Sequence, residues 1–194
     1  MILSHKYKFV CLNPPKTGTG FRENLLKDYA DVSMLTHEFL EPRHWNSTKA
    51  SDYIKSINRD PNDYYWFTFV RNPWERMISW VNMLKNHYLN GGNKLSFDSE
   101  SIIVSRLNSK PFNDYIYRDG KLLDFIGSVE NLTEDLRFVL DKLNVSIDIP
   151  SKTNEPHKKN FKKDIRKELS SEIIKMIADV EKEVIELKNY KFEQ

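Results

Sequence analysis

The sequence predicts an α/β sandwich of three layers, in which a mostly parallel central sheet lies between helices. Apolar runs of strand length alternate with segments of helical periodicity, a pattern that is typical of parallel sheets. The clearest strand is 64–70, YYWFTFV, whose continuous β-branched and aromatic residues indicate burial on both faces. The length of 194 residues fits a single domain, residues 1–194.

The first half of the chain supplies two further strands and two helices. An apolar run at 9–12 predicts a buried strand, and a short run at 32–35 predicts a second strand that ends at Thr36-His37. Phe21, Leu25 and Tyr29 recur at helical spacing and predict one face of a first helix. A further helix is expected at 47–57.

The second half begins with a strong helix signal at Asn72-Pro73, because asparagine caps helices and proline suits their first position. That helix should reach Leu89 and stop at Gly91-Gly92. Helices at 98–107 and 133–143 and a short strand at 122–126 follow. A last helix at 170–187 carries one apolar face, made of Ile173, Ile177, Val180, Val184 and Leu187.

Composition excludes several classes of protein. A net charge of +2 is too small to indicate nucleic-acid binding by itself, so no nucleic-acid partner is expected. The single cysteine, Cys11, cannot form an internal disulfide and suits a reducing compartment. The N-terminal residues do not resemble a signal peptide, and no stretch approaches the roughly 20 apolar residues of a membrane span. A soluble, cytoplasmic protein without a membrane partner is expected, and its oligomeric state is left open.

The segment 9–21, FVCLNPPKTGTGF, predicts an anion site. A strand that ends in a small-residue loop and enters a helix presents backbone N–H groups to an anion, and Lys16 adds a positive charge. The lysine precedes the glycines, whereas in the common nucleotide loop it follows them. The strand at 64–70 ends in Arg71, so the acid expected to hold magnesium is missing and no metal is expected. The alternative is a plain strand-to-helix turn in which Lys16 is solvated.

The segment 69–81, FVRNPWERMISWV, predicts a second anion grip. At helical spacing, one stripe is apolar, while Asn72, Arg76 and Ser79 share the opposite side. Arg71 at the strand end and Ser79 in the following helix can together bind one phosphate, through a forked cation and a short hydroxyl. The alternative is an amphipathic helix on which Arg76 and Glu75 form surface ion pairs. The apolar stripe comprises Trp74, Met77, Ile78, Val81, Leu84 and Tyr88.

Together these segments resemble the sulfotransferases that use 3′-phosphoadenosine 5′-phosphosulfate (PAPS), and especially their carbohydrate-type members. PPKTGTGF is similar to the 5′-phosphosulfate loop of that family, and VRNPWERMISW to its 3′-phosphate motif. The segments at 126–132 and from 150 to the end resemble later parts, so the likeness spans about residues 7–192. It implies a P-loop-kinase-like fold. Gly20 departs from the family pattern, because many members carry threonine or serine there.

The resemblance also implies an enzyme and a mechanism. PAPS would be the co-substrate, with a hydroxyl of a glycan or small molecule as acceptor. Lys16 would neutralise the bridging oxygen as the S–O bond breaks, and Arg71 and Ser79 would bind the 3′-phosphate. His37 is the first candidate for the general base, with His44 second and Glu38 and Glu41 as substitutes. The N–H groups that would hold the 5′-phosphosulfate belong to Thr17, Gly18, Thr19, Gly20 and Phe21.

Several alternatives stay open. The chain can instead be a nucleotide-binding protein without catalysis, or a small-molecule kinase. Three tryptophans, Trp45, Trp74 and Trp80, can stack on a sugar, although the apolar stripe favours a core position for Trp74. A basic cluster near the C-terminus can contact an anionic acceptor or the nucleotide, or form a solvated face. Its members are His157, Lys158, Lys159, Lys162, Lys163, Arg166 and Lys167.

Overall fold

A computed structural model describes residues 1–36, 42–90, 98–150 and 165–192. The chain divides into two units, which comprise Met1–Val70 with Asp114–Glu155 and Arg71–Asn113 with Pro156–Gln194. The strands are β1 (Ile2–Ser4), β2 (Phe9–Leu12), β3 (Tyr65–Val70), β4 (Tyr117–Arg118), β5 (Lys121–Leu122) and β6 (Phe125–Ser128). The helices are α1 (Thr19–Leu26), α2 (Ser47–Ser56), α3 (Pro73–Asn90), α4 (Ser99–Ser109), α5 (Asn113–Ile116), α6 (Leu132–Lys142), α7 (Ser171–Val180) and α8 (Lys182–Lys188).

The first unit is built on a sheet with the strand order β1-β2-β3-β6. β2, β3 and β6 are parallel, and β1 joins the edge antiparallel to β2. The register places Cys11 opposite Phe67 and Phe67 opposite Phe125. The mixed α/β architecture with a mostly parallel sheet is therefore confirmed. β4 and β5 form a separate small hairpin.

Helices α1 and α6 cover one face of this sheet. Alternate residues of the two central strands, including Phe9, Cys11, Phe67 and Phe69, pack with apolar residues of both helices. The predicted face of the first helix lies here too, since Phe21, Leu25 and Tyr29 pack against this cluster. A third layer stays a prediction.

Gly127 in β6 is required by close packing rather than by its backbone angles. A Cβ atom at this position would lie 2.6 Å from Cε1 of Phe69 and 3.1 Å from Oδ2 of Asp135. The same Asp135 oxygen accepts a hydrogen bond from the N–H of Ser128 at 2.7 Å. Glycine therefore allows α6 to approach the end of β6.

The second unit packs α3 and α4 against α7. Their buried residues form one apolar cluster that includes Trp74, Val81, Ile103 and Ile177. Asn72 caps α3 as predicted, because its side-chain oxygen accepts from the N–H of Trp74 at 3.2 Å. No helix within the described ranges is long and apolar enough to span a membrane.

The single strand predicted at 122–126 is instead divided, since β5 ends at Leu122 and β6 begins at Phe125. Two further predictions about secondary structure, a strand at 32–35 and an unbroken last helix, are wrong. Residues 32–35 form no strand beyond a single bridge between Val32 and Leu3, because Ser33 and Thr36 hydrogen-bond to each other in a turn. The strand that was missed is β1, which pairs with β2.

The last helix is also interrupted: α7 ends at Val180 and α8 begins at Lys182. Glu181, between them, is fully buried and accepts hydrogen bonds from Arg76 at 2.9 Å and from the N–H of Phe112 at 3.0 Å. The expected apolar face is kept in part, since Ile177 and Val184 are buried whereas Leu187 is exposed.

Candidate active site

The loop between β2 and α1 leads directly into the helix N-terminus. Gly18 is the N-cap residue, at φ +72°, and no side chain caps the first turn of α1. Lys16 also adopts a left-handed conformation, at φ +68°, which is uncommon for a residue with a side chain. Such backbone strain concentrates at functional sites.

The threonine side chains of the loop are turned inward. The hydroxyls of Thr17 and Thr19 both donate to the carbonyl oxygen of Pro14, at 2.7 and 3.3 Å. Both residues are buried, whereas Gly18 and Gly20 are exposed. The loop therefore presents its backbone, rather than threonine hydroxyls, on its outer side, which is the arrangement that binds phosphate-like anions.

A fully buried arginine lies beneath the loop. Arg22 donates from its two terminal nitrogens to the carbonyl oxygen of Thr17, to the Thr17 hydroxyl at 3.1 Å and to Oδ1 of Asn13 at 2.9 Å. Its guanidinium lies 4.8 Å from the centre of the Phe69 ring. Burial lowers the pKa of this guanidinium below its ordinary value, and the nearby Cys11 and Glu23 oppose that shift.

The turn at Pro42–His44 is fastened to the same region. Nδ1 of His44 lies 2.8 Å from the carbonyl oxygen of Asn13, the residue at which the loop starts. Arg43, beside it, forms an ion pair at 2.8 Å with the buried carboxylate of Glu23 on α1. The hydroxyl of Tyr115 donates to the backbone oxygen of His44 at 3.0 Å.

The sequence matches a known family over almost its whole length. A model of the sulfotransferase family matches residues 1–193. The chain belongs to the sulfotransferase family. A protein from Archaeoglobus fulgidus, described as uncharacterized, is 29% identical over 101 residues, which cover 52% of this chain and 84% of that protein. No solved structure matches the chain significantly.

The sulfotransferase carries its second predicted motif in the other unit. Arg71 follows β3 directly, and Ser79 lies half-buried on α3. Arg71 lies 3.8 Å from a carboxylate oxygen of Glu75, and the other oxygen of Glu75 accepts from Nε and a terminal nitrogen of Arg166, both at 2.6 Å. Two arginines thus share one carboxylate.

Arg76 does not belong to an exposed polar face with Asn72 and Ser79. Its side chain is fully buried, pairs with Glu181 at 2.9 Å and lies 4.0 Å from the Phe112 ring centre. Arg76 is therefore a structural residue. The alternative in which Arg76 and Glu75 both form surface ion pairs is therefore wrong for Arg76, whereas Glu75 forms pairs with Arg71 and Arg166.

Several predicted residues lie outside the described ranges. They include His37, the first candidate base, and its substitutes Glu38 and Glu41. Of the three tryptophans, Trp74 and Trp80 are buried, and Trp45 is half-exposed with its ring 5.6 Å from that of Tyr53. Within the described residues, no group of three or more His, Cys, Asp or Glu side chains can hold a metal ion. The basic-cluster members outside the described ranges are His157, Lys158, Lys159, Lys162 and Lys163.

Sequence reasoning missed Arg22, Asn13 and Glu181. Arg22 and Leu26 are four residues apart on α1 and both are fully buried, so this helix has a second inward face. The spacing of Arg22 and Leu26 is visible in the sequence. An arginine at such a position ordinarily indicates a solvent-exposed helix face, so burial was not expected. Nothing in the sequence pointed to Glu181, whose partners are 69 and 105 residues distant along the chain.

Proposed function

We propose that this sulfotransferase moves a sulfuryl group from PAPS to the hydroxyl of an acceptor. The observation that carries the proposal is the β2–α1 loop, where Gly18 leaves the helix N-terminus without a side-chain cap. A helix N-terminus of this kind attracts an anion through its N–H groups and its dipole. The 5′-phosphosulfate of PAPS is such an anion, and the resemblance of the loop to the family motif supports this choice of ligand.

Lys16 is the residue proposed to promote transfer. The acceptor oxygen forms a bond to sulfur while the bond from sulfur to the bridging oxygen breaks, and the electron pair stays on the leaving 5′-phosphate. Negative charge grows on that oxygen, and a cation placed there stabilises the transition state more than the bound substrate. The left-handed backbone at Lys16 fits such a specialised role.

His44 is the described residue best suited to take the acceptor proton. A carbonyl oxygen only accepts, so the contact with Asn13 assigns the proton of the ring to Nδ1. In the neutral imidazole the lone pair then belongs to Nε2, the form that a general base requires. His37 stays a prediction from the sequence, and the two histidines can be compared by substitution.

Arg71 and Ser79 are proposed to bind the 3′-phosphate, as the family motif implies. A guanidinium and a hydroxyl suit a phosphate dianion. Glu75 and Arg166 would maintain the orientation of the Arg71 side chain. This group would distinguish PAPS from nucleotides that lack a 3′-phosphate.

The acceptor is proposed to be a glycan or a small alcohol. The family likeness to carbohydrate-type members supports a glycan, and Trp45 offers a half-exposed aromatic surface next to His44 in the chain. Aromatic side chains commonly line ligand sites. A screen of sugar and small alcohol acceptors with labelled PAPS would identify the class, with the Trp45→Ala variant as a check on stacking.

Calorimetric titration tests the donor. Adenosine 3′,5′-bisphosphate, the product, should bind without magnesium, and AMP should bind at least about tenfold more weakly because it lacks one phosphate. Arg71→Gln should reduce this preference, while Lys85→Gln on α3 serves as a control in the same unit. Equal binding of ATP with magnesium would contradict the proposal and favour a kinase. Donor binding without transfer to any acceptor would favour a nucleotide-binding protein.

A further inference from the structure

Arg22 is the most deeply buried charged group beside the loop, and neither the family match nor the motif assigns it a role. Its side chain has no solvent exposure, and its guanidinium donates to three oxygen atoms of Asn13 and Thr17. The backbone N–H of Arg22 also donates to the carbonyl oxygen of Gly18, at 3.3 Å. Arg22 therefore contacts the carbonyl oxygens of two successive peptides, and the Thr17 oxygen is the one that belongs to the Thr17–Gly18 peptide.

The hydrogen bond from Arg22 to the Thr17 oxygen also sets the direction of the Gly18 N–H, because both groups belong to one peptide. In a trans peptide the carbonyl oxygen and the following N–H point in opposite directions. Arg22 draws the carbonyl oxygen of Thr17 inward, below the loop. The N–H of Gly18 must therefore point outward, to the side where the loop is exposed.

The glycine itself fits this arrangement. A Cβ atom on Gly18 would have the Arg22 terminal nitrogen at 3.8 Å and Cδ2 of Leu132 at 3.7 Å, which are ordinary contacts. The requirement for glycine comes instead from φ +72°, since the left-handed region disfavours a side chain. Arg22 stabilises a peptide orientation that glycine permits.

We propose that Arg22 is a positioning residue of the donor loop: its buried guanidinium holds the Thr17–Gly18 peptide with the N–H directed at the 5′-phosphosulfate. The group also contributes a buried positive charge beneath an anion site, where charge is screened less than at the surface. This inference rests on the proposed donor, but the orientation of the loop can be measured without any ligand.

Two substitutions of Arg22 separate the effect of its hydrogen-bond donors from the effect of its positive charge. Arg22→Met keeps an unbranched side chain and removes every donor, while Arg22→Lys keeps the charge and one donor group. Val139→Ala is the matched control, because Val139 is fully buried in the core of the same unit and carries no polar group. The control should lower the melting temperature and leave the loop unchanged.

The first measurement is amide hydrogen exchange of ligand-free protein, over a peptide spanning residues 13–21. Arg22→Met should raise exchange of the loop amides at least about tenfold relative to wild type, with Arg22→Lys between the two. Val139→Ala should not raise it selectively. Wild-type exchange in Arg22→Lys would overturn the proposal, even if Arg22→Met fails to fold.

The second measurement is the affinity for adenosine 3′,5′-bisphosphate, well below the melting temperature of each variant. Arg22→Met should weaken binding by about tenfold or more, and Arg22→Lys should restore part of it. Equal weakening in Val139→Ala would assign Arg22 to general stability and overturn the proposal. If wild type does not bind this nucleotide, the donor assignment fails, and the exchange measurement alone decides the role of Arg22.

Discussion

Nδ1 of His44 lies 2.8 Å from the backbone oxygen of Asn13, so the ring of one candidate base is anchored to the residue that opens the anion loop. The anchor is a main-chain atom, which no substitution at Asn13 removes. The ion pair between Arg43 and Glu23 holds the same turn through the residue that precedes His44. The two contacts together hold the imidazole next to the loop.

His44→Asn should reduce kcat by about 10²- to 10⁴-fold, because asparagine keeps a donor near the Nδ1 position and lacks the basic nitrogen. Affinity for adenosine 3′,5′-bisphosphate should stay within about twofold of wild type, because the loop keeps its own contacts. Steady-state kinetics and calorimetry measure the two effects. His37→Asn is the matched variant, and a comparable loss there with full activity in His44→Asn would make His37 the base.

Two substitutions of Lys16 should separate stability from catalysis. Both Lys16→Ala and Lys16→Gly should abolish measurable transfer, because each removes the cation. Glycine tolerates φ +68°, so Lys16→Gly should exceed Lys16→Ala in stability by about 1 kcal/mol. Chemical denaturation measures that difference. Transfer that survives in either variant at the wild-type rate would show that Lys16 is not the catalytic cation.

Gly127→Ala should destabilise the first unit by about 1–3 kcal/mol, since the new methyl group overlaps the Phe69 ring. Gly20→Ala makes the matched comparison. Nothing lies within 4 Å of a Cβ atom at Gly20, which is in the first turn of α1, so alanine should stabilise the helix by about 0.5–1 kcal/mol. Opposite shifts in melting temperature are expected, and shifts of the same sign would contradict the packing described for β6.

The Arg76–Glu181 pair should be sensitive to the loss of one partner. Glu181→Gln leaves a buried guanidinium without its counter-charge, and we expect a loss of about 3–5 kcal/mol in the free energy of unfolding. Lys182 and Glu186 form an exposed pair at 3.7 Å on the next helix, so Glu186→Gln should change stability by less than about 1 kcal/mol. Urea denaturation compares the two variants, and a small effect in Glu181→Gln would mean that water relieves the buried charge.

Local signals predicted the elements that depend on neighbouring residues. The Asn72 cap, the apolar spacing of α1 and the strand at 65–70 were all predictable because a cap, a helix face and a buried strand each leave a short pattern. The prediction of a strand at 32–35 was wrong because a second local signal competed with the apolar pattern. Its apolar residues resemble a strand, but the hydroxyls of Ser33 and Thr36 supply a local alternative to sheet hydrogen bonds.

Charged residues inside the molecule could not be predicted in the same way. Glu181 is buried with donors from distant segments, and Arg22 with acceptors in the loop that precedes its helix. A helical pattern in the sequence shows the spacing of residues but not their partners. The loop motif predicted an anion site, with family resemblance supplying the ligand. The inward turn of the threonine hydroxyls, which leaves the backbone as the contact surface, required the structure.

Asn13 joins two functions within one residue. Its main-chain oxygen holds His44, and its side-chain oxygen receives Arg22 from below the loop. A double-mutant cycle between His44 and Arg22 should therefore give a coupling energy different from zero, because both side chains bind the same residue. For engineering, a redesign of the turn that removes the contact of residue 44 with the Asn13 backbone should also lower donor affinity, whereas one that keeps a donor there, such as His44→Asn, should not. Selection of paired changes, rather than single ones, is the route to a new specificity on this scaffold.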